Sequence, residues 1–236
     1  MPISSTPDHV AVAVPSIEEA GTRWLDQLGG VWCSPYHTTG TGFATRQLWF
    51  RGSTKLELLE PDGDDSFAAG FLQRFGARVH HITLKVPELM PAVEVVRDAG
   101  YDVVDINTDR DEWHEGFLRP SQVGGVIVQL ARSAFSDAQW AERLGEDPDP
   151  APTSGPVLHG PTLFHPDLDA CAQVWRVLGG EVEHHDEVVQ VQWQGSPLDV
   201  RIERRDDIDP PVLRFSDAPP ISADPKFGPA TVTEPT

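Results

Sequence analysis

The chain has 236 residues, enough to bury one core of ordinary domain size with material left for a smaller second unit. Lys and Arg number 18 against 37 Asp and Glu, and a formal net charge of −19 excludes nucleic acid and anionic membrane as partners over most of the surface. Only Cys33 and Cys171 carry thiols, neither in a CxxC or Cys/His cluster, no run of 18 apolar residues occurs, and no basic segment leads into an apolar stretch at the start; the expectation is a reduced, cytoplasmic protein without a membrane span.

In chain order the first element is an alternating strand, HVAVAVP from His9 to Pro15, and it returns 72 residues later as HITLKVP from His81 to Pro87. Val10, Val12 and Val14, like Ile82, Leu84 and Val86, form one apolar face, so His9 and His81 project from the other. Each proline is followed by a helical pattern, Ile17, Ala20, Trp24 and Leu28 in the first copy, Leu89, Val93 and Val96 in the second. Gly29-Gly30 and Gly100 stop these helices. Short strands then alternate with loops at 37–45 and 105–112, and each copy closes on an apolar strand, 55–59 and 126–130.

The same 72-residue offset places Glu57 on Gln129. Each lies between two apolar neighbours, so alternation turns it away from the core. The reading is α+β: tandem βαβββ modules forming a cupped mixed sheet over residues 1–134, with His9, Glu57, His81 and Gln129 projecting from one side. Each histidine stands 48 residues before its acceptor, a recurrence that packing alone does not require. Two imidazoles, one carboxylate and one amide oxygen make a mixed N/O donor set suited to one divalent ion, Mn, Co, Ni, Zn or Fe, rather than calcium.

Residues 135–156 read as a short helix and a Pro/Asp-rich linker, 157–215 as a third, shorter βαβββ-like module, and 216–236 as a disordered or surface-draped tail. A lone module leaves a sheet face open, so the third is expected to pair with a second copy in a homodimer. His80, adjacent to His81, alternates to the opposite side and is expected in the core or at an edge rather than as a ligand.

The motifs DHVAVAVP at Asp8–Pro15, GSTKLELLEP at Gly52–Pro61, HHITLKV at His80–Val86 and GVIVQL at Gly125–Leu130 resemble those of the vicinal oxygen chelate superfamily, in its epimerase and glyoxalase branch. The resemblance covers roughly residues 7–132 and implies that His9, Glu57, His81 and Gln129 bind the metal. It implies a small-molecule substrate bound through oxygen, with the metal a Lewis acid toward an enolate. A metal-dependent isomerase or lyase acting on an acyl thioester or 2-oxo compound follows. An Fe(II) extradiol-type dioxygenase and a non-catalytic small-molecule binding protein, as among resistance members, are the alternatives.

Two departures from that branch bear on catalysis. A glutamate usually stands where this chain has Gln129, and a second carboxylate usually comes from a middle strand of the first module, where this chain has Gln47. An amide is no general base. Glu57, the only carboxylate in the ligand set, is therefore the first candidate to move a proton, with His114 and Glu115 as further candidates in the second module.

Overall fold

A computed structural model describes residues 1–40, 42–145, 149–207 and 209–234. Part of the expected linker (146–148), residue 208 of the third module and 235–236 of the tail lie outside the described residues.

The first module consists of β1 (Thr6–Ala13), α1 (Ile17–Gly21), β2 (Val31–Trp32), β3 (His37–Thr38), β4 (Phe43–Phe50) and β5 (Thr54–Pro61). Ser16 caps α1 by accepting from the Glu19 N–H, and the helix runs on as a π-helical stretch, Thr22–Gln27. Ile17, Ala20, Trp24 and Leu28 are all buried, as their spacing predicts. The helix ends at the C-cap Leu28, followed by Gly29 at φ +68°, and Gly30 admits no side chain because a Cβ there would lie 2.8 Å from the Trp24 carbonyl oxygen.

The second module repeats the plan in β6 (Arg78–Lys85), α3 (Leu89–Asp98), β7 (Val104–Arg110), β8 (Trp113–Leu118) and β9 (Ile127–Ser133), with a short turn of helix, α4 (Pro120–Val123), before β9. The loop expected at 105–112 is instead mostly β7. Its Asp- and Asn-rich sequence hid it. It pairs with β8 through two register shifts, as befits an irregular, polar strand at the end of a sheet. One further element, α2 (Phe67–Phe75), precedes β6; Ser66 caps it, and Ala68, Phe71 and Leu72 pack on Ala13 and Leu59.

The strands of these two modules run in the order β2-β4-β5-β1-β6-β9-β8-β7. The sheet is mixed, because β6 and β9 are parallel whereas β4 and β5, and β8 and β9, are antiparallel. Direct cross-strand partners include Gln47 with Glu57 and Thr83 with Gln129.

After α5 (Asp137–Leu144) the third module follows: β10 (Val157–His165), α6 (Leu168–Val177), β11 (Glu181–His185), β12 (Val188–Gln192) and β13 (Val200–Arg204). Two more strands, β14 (Val212–Ser216) and β15 (Thr231–Thr233), complete a second sheet ordered β11-β12-β13-β10-β14-β15. The same chain thus supplies β14 as a neighbour for β10.

The chain divides into two compact units that do not follow chain order. One comprises Met1–His9, His81–Ser136 and Gly160–Pro211. Within it, the Ile3 N–H donates to the Val177 carbonyl, and Gly124, lacking a Cβ, allows Cys171 Sγ close to its backbone. The other comprises Val10–His80, Asp137–His159 and Val212–Thr236. Here the expectation of a disordered stretch after 215 is corrected. Buried Arg23 donates to the Ser222, Gly228 and Pro229 carbonyls, Trp24 Nε1 donates to the Phe227 carbonyl, and β15 pairs with β14. Low hydrophobicity concealed a segment held by its backbone oxygens. No helix among the described residues is long and apolar enough to cross a membrane.

Candidate metal centre

His9 lies on β1, Glu57 on β5 and His81 on β6, and each side chain is buried. Each offers one ligand atom, and the three atoms lie within 4.8 Å of one another. The two imidazole rings meet edge to face at 5.6 Å. Buried carboxylate and imidazole groups gathered this closely need a compensating charge or a dense hydrogen-bond network.

The orientation of each donor is fixed by a neighbour. Asp8 Oδ2 accepts from His9 Nδ1–H at 2.7 Å, which in the neutral ring leaves the lone pair on Nε2. Asp8 is itself held by Lys85 Nζ at 3.1 Å. Gln47 Nε2 donates to Glu57 Oε2 at 3.0 Å. Gln129 Nε2 donates to Glu115 Oε2 at 2.7 Å, and because a carboxylate only accepts, the amide oxygen is turned the other way.

That oxygen, Gln129 Oε1, lies 2.6 Å from Thr83 Oγ1, and His9 Nε2 lies 3.0 Å from the same hydroxyl. Thr83 is fully buried. A hydroxyl has one proton, so it cannot donate to both. His9 Nε2 and Gln129 Oε1 therefore both face this one hydroxyl, whose proton goes to Gln129. A divalent cation fits this arrangement, since it accepts lone pairs from both, and the donor set of two nitrogens, a carboxylate and an amide oxygen suits a transition ion.

The other acidic and imidazole groups divide between the site and its surroundings. On β8, Phe117 is the cross-strand partner of Gln129 and Glu115 that of Ala131, so Glu115 shares Gln129's face. His114 pairs with Arg132 and alternates to the opposite face. The expectation for His114 is corrected on that ground. His80 is buried against Phe71 and Phe67, with ring centroids at 4.6 and 5.9 Å, and burial pushes its pKa down to about 4. Glu60 accepts from the Ile17 N–H and from Tyr36 Oη, which ties it to the start of α1 and raises the Tyr36 pKa to about 12.

Residues 8–117 match the family model of the glyoxalase/bleomycin resistance protein/dioxygenase superfamily. The chain is 35% identical over 138 residues to the mitochondrial methylmalonyl-CoA epimerase of Mus musculus, a match that covers 53% of this chain and 72% of that protein. It is 32% identical to the ethylmalonyl-CoA/methylmalonyl-CoA epimerase of Cereibacter sphaeroides, over 52% of this chain and 94% of that one. The chain belongs to this superfamily, the vicinal oxygen chelate family. A solved structure of a hypothetical protein from Staphylococcus aureus, 12% identical, shares the fold with a TM-score of 0.66, covering 99% of this chain and 100% of that one. That likeness in fold takes in nearly the whole of this chain, whereas the matches to the epimerases cover about half of it.

Set against the superfamily resemblance, Asp8 and Thr83 are the residues that sequence reasoning passed over. The signals were present: Asp8 precedes a candidate ligand, and Thr83 stands two residues after His81 on the same strand face.

Proposed function

We propose that the protein is a metal-dependent isomerase that moves the proton on the carbon next to the carbonyl of an acyl-CoA thioester. The observation that carries this reading is the convergence of His9 Nε2 and Gln129 Oε1 on one hydroxyl, beside the His9, Glu57 and His81 ligand atoms. Support for the substrate class comes from the two epimerases, whose names specify methylmalonyl-CoA and ethylmalonyl-CoA.

In this reading His9, Glu57, His81 and Gln129 hold one divalent ion of the Mn, Co, Ni, Zn or Fe group. When bound, the ion supplies a Lewis acid for a substrate oxygen. The protein's own groups prepare that chemistry. Asp8 keeps the His9 lone pair on Nε2, Gln47 holds Glu57 by donating to its Oε2, and Glu115 orients Gln129 with its oxygen forward. Burial of all four donors keeps bulk water from competing for them.

The test is deuterium incorporation at C2 of methylmalonyl-CoA or ethylmalonyl-CoA, followed by NMR in D2O with protein loaded in turn with each ion. Metal-dependent exchange is expected. Absence of exchange with every ion would overturn the reading; oxygen uptake with catechols and Fe(II) would replace it with an extradiol-type dioxygenase, and tight thioester binding without exchange with a binding protein.

A further inference from the structure

Each of the first two modules pairs one carboxylate with one carboxamide across its middle and closing strands, but the two modules do so with opposite polarity. In the first, the middle strand β4 carries the amide, Gln47, and the closing strand β5 the carboxylate, Glu57. In the second, the middle strand β8 carries the carboxylate, Glu115, and the closing strand β9 the amide, Gln129. The chemical consequence differs between them. Glu57 lies within the donor cluster and is committed to it, whereas Glu115 is one residue removed, touching a donor without belonging to the set.

The environment of Glu115 suits it to take a proton. Its Oε2 accepts two hydrogen bonds, from Gln129 Nε2 at 2.7 Å and from Trp113 Nε1 at 2.9 Å. Both partners are donors at these atoms, so they hold the carboxylate in place as an acceptor. Oε1 accepts no hydrogen bond among the described residues. The side chain is only half-buried. A second tie closes the arrangement, because Lys85, paired with Asp8, lies with its Nζ 5.9 Å from the Trp113 ring centroid. The carboxylate is thus oriented, within reach of a donor to the metal, and open at one oxygen.

We propose that Glu115 is the catalytic base of this protein, a carboxylate supplied by the middle strand of the second module while Gln47 occupies the corresponding strand of the first. This rests on the isomerase reading above. In the step, the C–H bond next to the thioester carbonyl breaks, its proton goes to Glu115 Oε1, and its electron pair moves to the carbonyl oxygen as the enolate forms. Return of the proton from Glu115 reverses each change, and a deuteron acquired from D2O at Oε1 is delivered in its place. No oxidant or further reactant is required.

The experiment compares the native protein with Glu115→Gln and Glu115→Asp. The glutamine keeps an oxygen that can accept from Gln129 and Trp113, so metal stoichiometry, metal affinity and the Kd for propionyl-CoA, read by calorimetry, are expected to stay within about twofold, while C2 deuterium exchange falls about 10²–10⁴-fold. Glu115→Asp, with its carboxylate withdrawn, is expected to retain a measurable part of the exchange. If the native protein exchanges and Glu115→Gln exchanges at the same rate, the assignment is overturned while the isomerase reading stands. A loss of exchange that merely follows a matching loss of metal affinity would also overturn it, making Glu115 a positioning residue for Gln129. No exchange by the native protein with any ion would remove the isomerase reading and this assignment together.

Discussion

Asp8 Oδ2 accepts the Nδ1–H of His9 at 2.7 Å, so the ring nitrogen that carries the lone pair is the one directed at Thr83 and the donor cluster. A carboxylate behind a ligating imidazole fixes its tautomer and its ring orientation. Asp8→Ala is therefore expected to weaken metal binding about 10–100-fold while leaving the stoichiometry at saturation unchanged. Competition against a chelating dye measures this; an unchanged affinity would show that His9 is oriented by something else.

Thr83 supplies the only hydroxyl between His9 Nε2 and Gln129 Oε1 among the described residues. Thr83→Val keeps the shape and removes that donor from a fully buried position. The metal-free protein is expected to lose about 1–3 kcal/mol, the cost of leaving a buried acceptor unsatisfied. Urea unfolding in the presence of chelator should show a lower midpoint at unchanged slope. Wild-type stability would contradict the role given to Thr83.

Gly160 on β10 has φ +133°, and a Cβ there would lie 2.1 Å from the Asp199 carbonyl oxygen. Backbone, not a flexible side chain, blocks it. Gly160→Ala is expected to cost about 3 kcal/mol or more and to raise hydrogen exchange in β10 and β13. Gly145→Ala, at φ +73° with nothing within 4 Å, should cost only about 1 kcal/mol. Equal effects would refute the steric account.

His80 is held neutral by burial, with its pKa pushed from 6.5 to about 4. The unfolded chain takes up the proton more readily in that window, so the contribution to stability is intact above pH 6.5 and is lost as pH falls toward about 4. A shift of this size corresponds to about 3 kcal/mol at the acid end. His80→Phe, which continues the contacts with Phe67 and Phe71, should therefore gain on the wild type as pH falls. Parallel urea midpoints at pH 7.5 and 5 would contradict this.

What was legible in the sequence was the duplicated part. The HVAVAVP and HITLKVP strands, the buried helix positions and the placement of His9, Glu57 and His81 all follow from alternation and one repeat offset, because a strand face is set by a period of two. Glu115 and His114 could not be separated without the register of β8 against β9, and a shift of one residue exchanges their faces. The stretch between β14 and β15 was illegible for another reason: its carbonyls at Ser222, Phe227, Gly228 and Pro229 are held by Arg23 and Trp24 from 199 to 206 residues away, and composition carries no trace of such long-range bonds.

Metal content tests the metal centre, on which the proposed chemistry depends, most directly. Protein made without an affinity tag is incubated with Mn, Co, Ni, Zn or Fe(II), freed of excess ion and analysed by mass spectrometry beside a His9→Ala, His81→Ala variant whose fold is checked by circular dichroism. About one equivalent of a transition ion in the native chain, absent from the folded variant, is the predicted result. A native chain that retains none of these ions, or a folded variant that retains as much as the native chain, would contradict it.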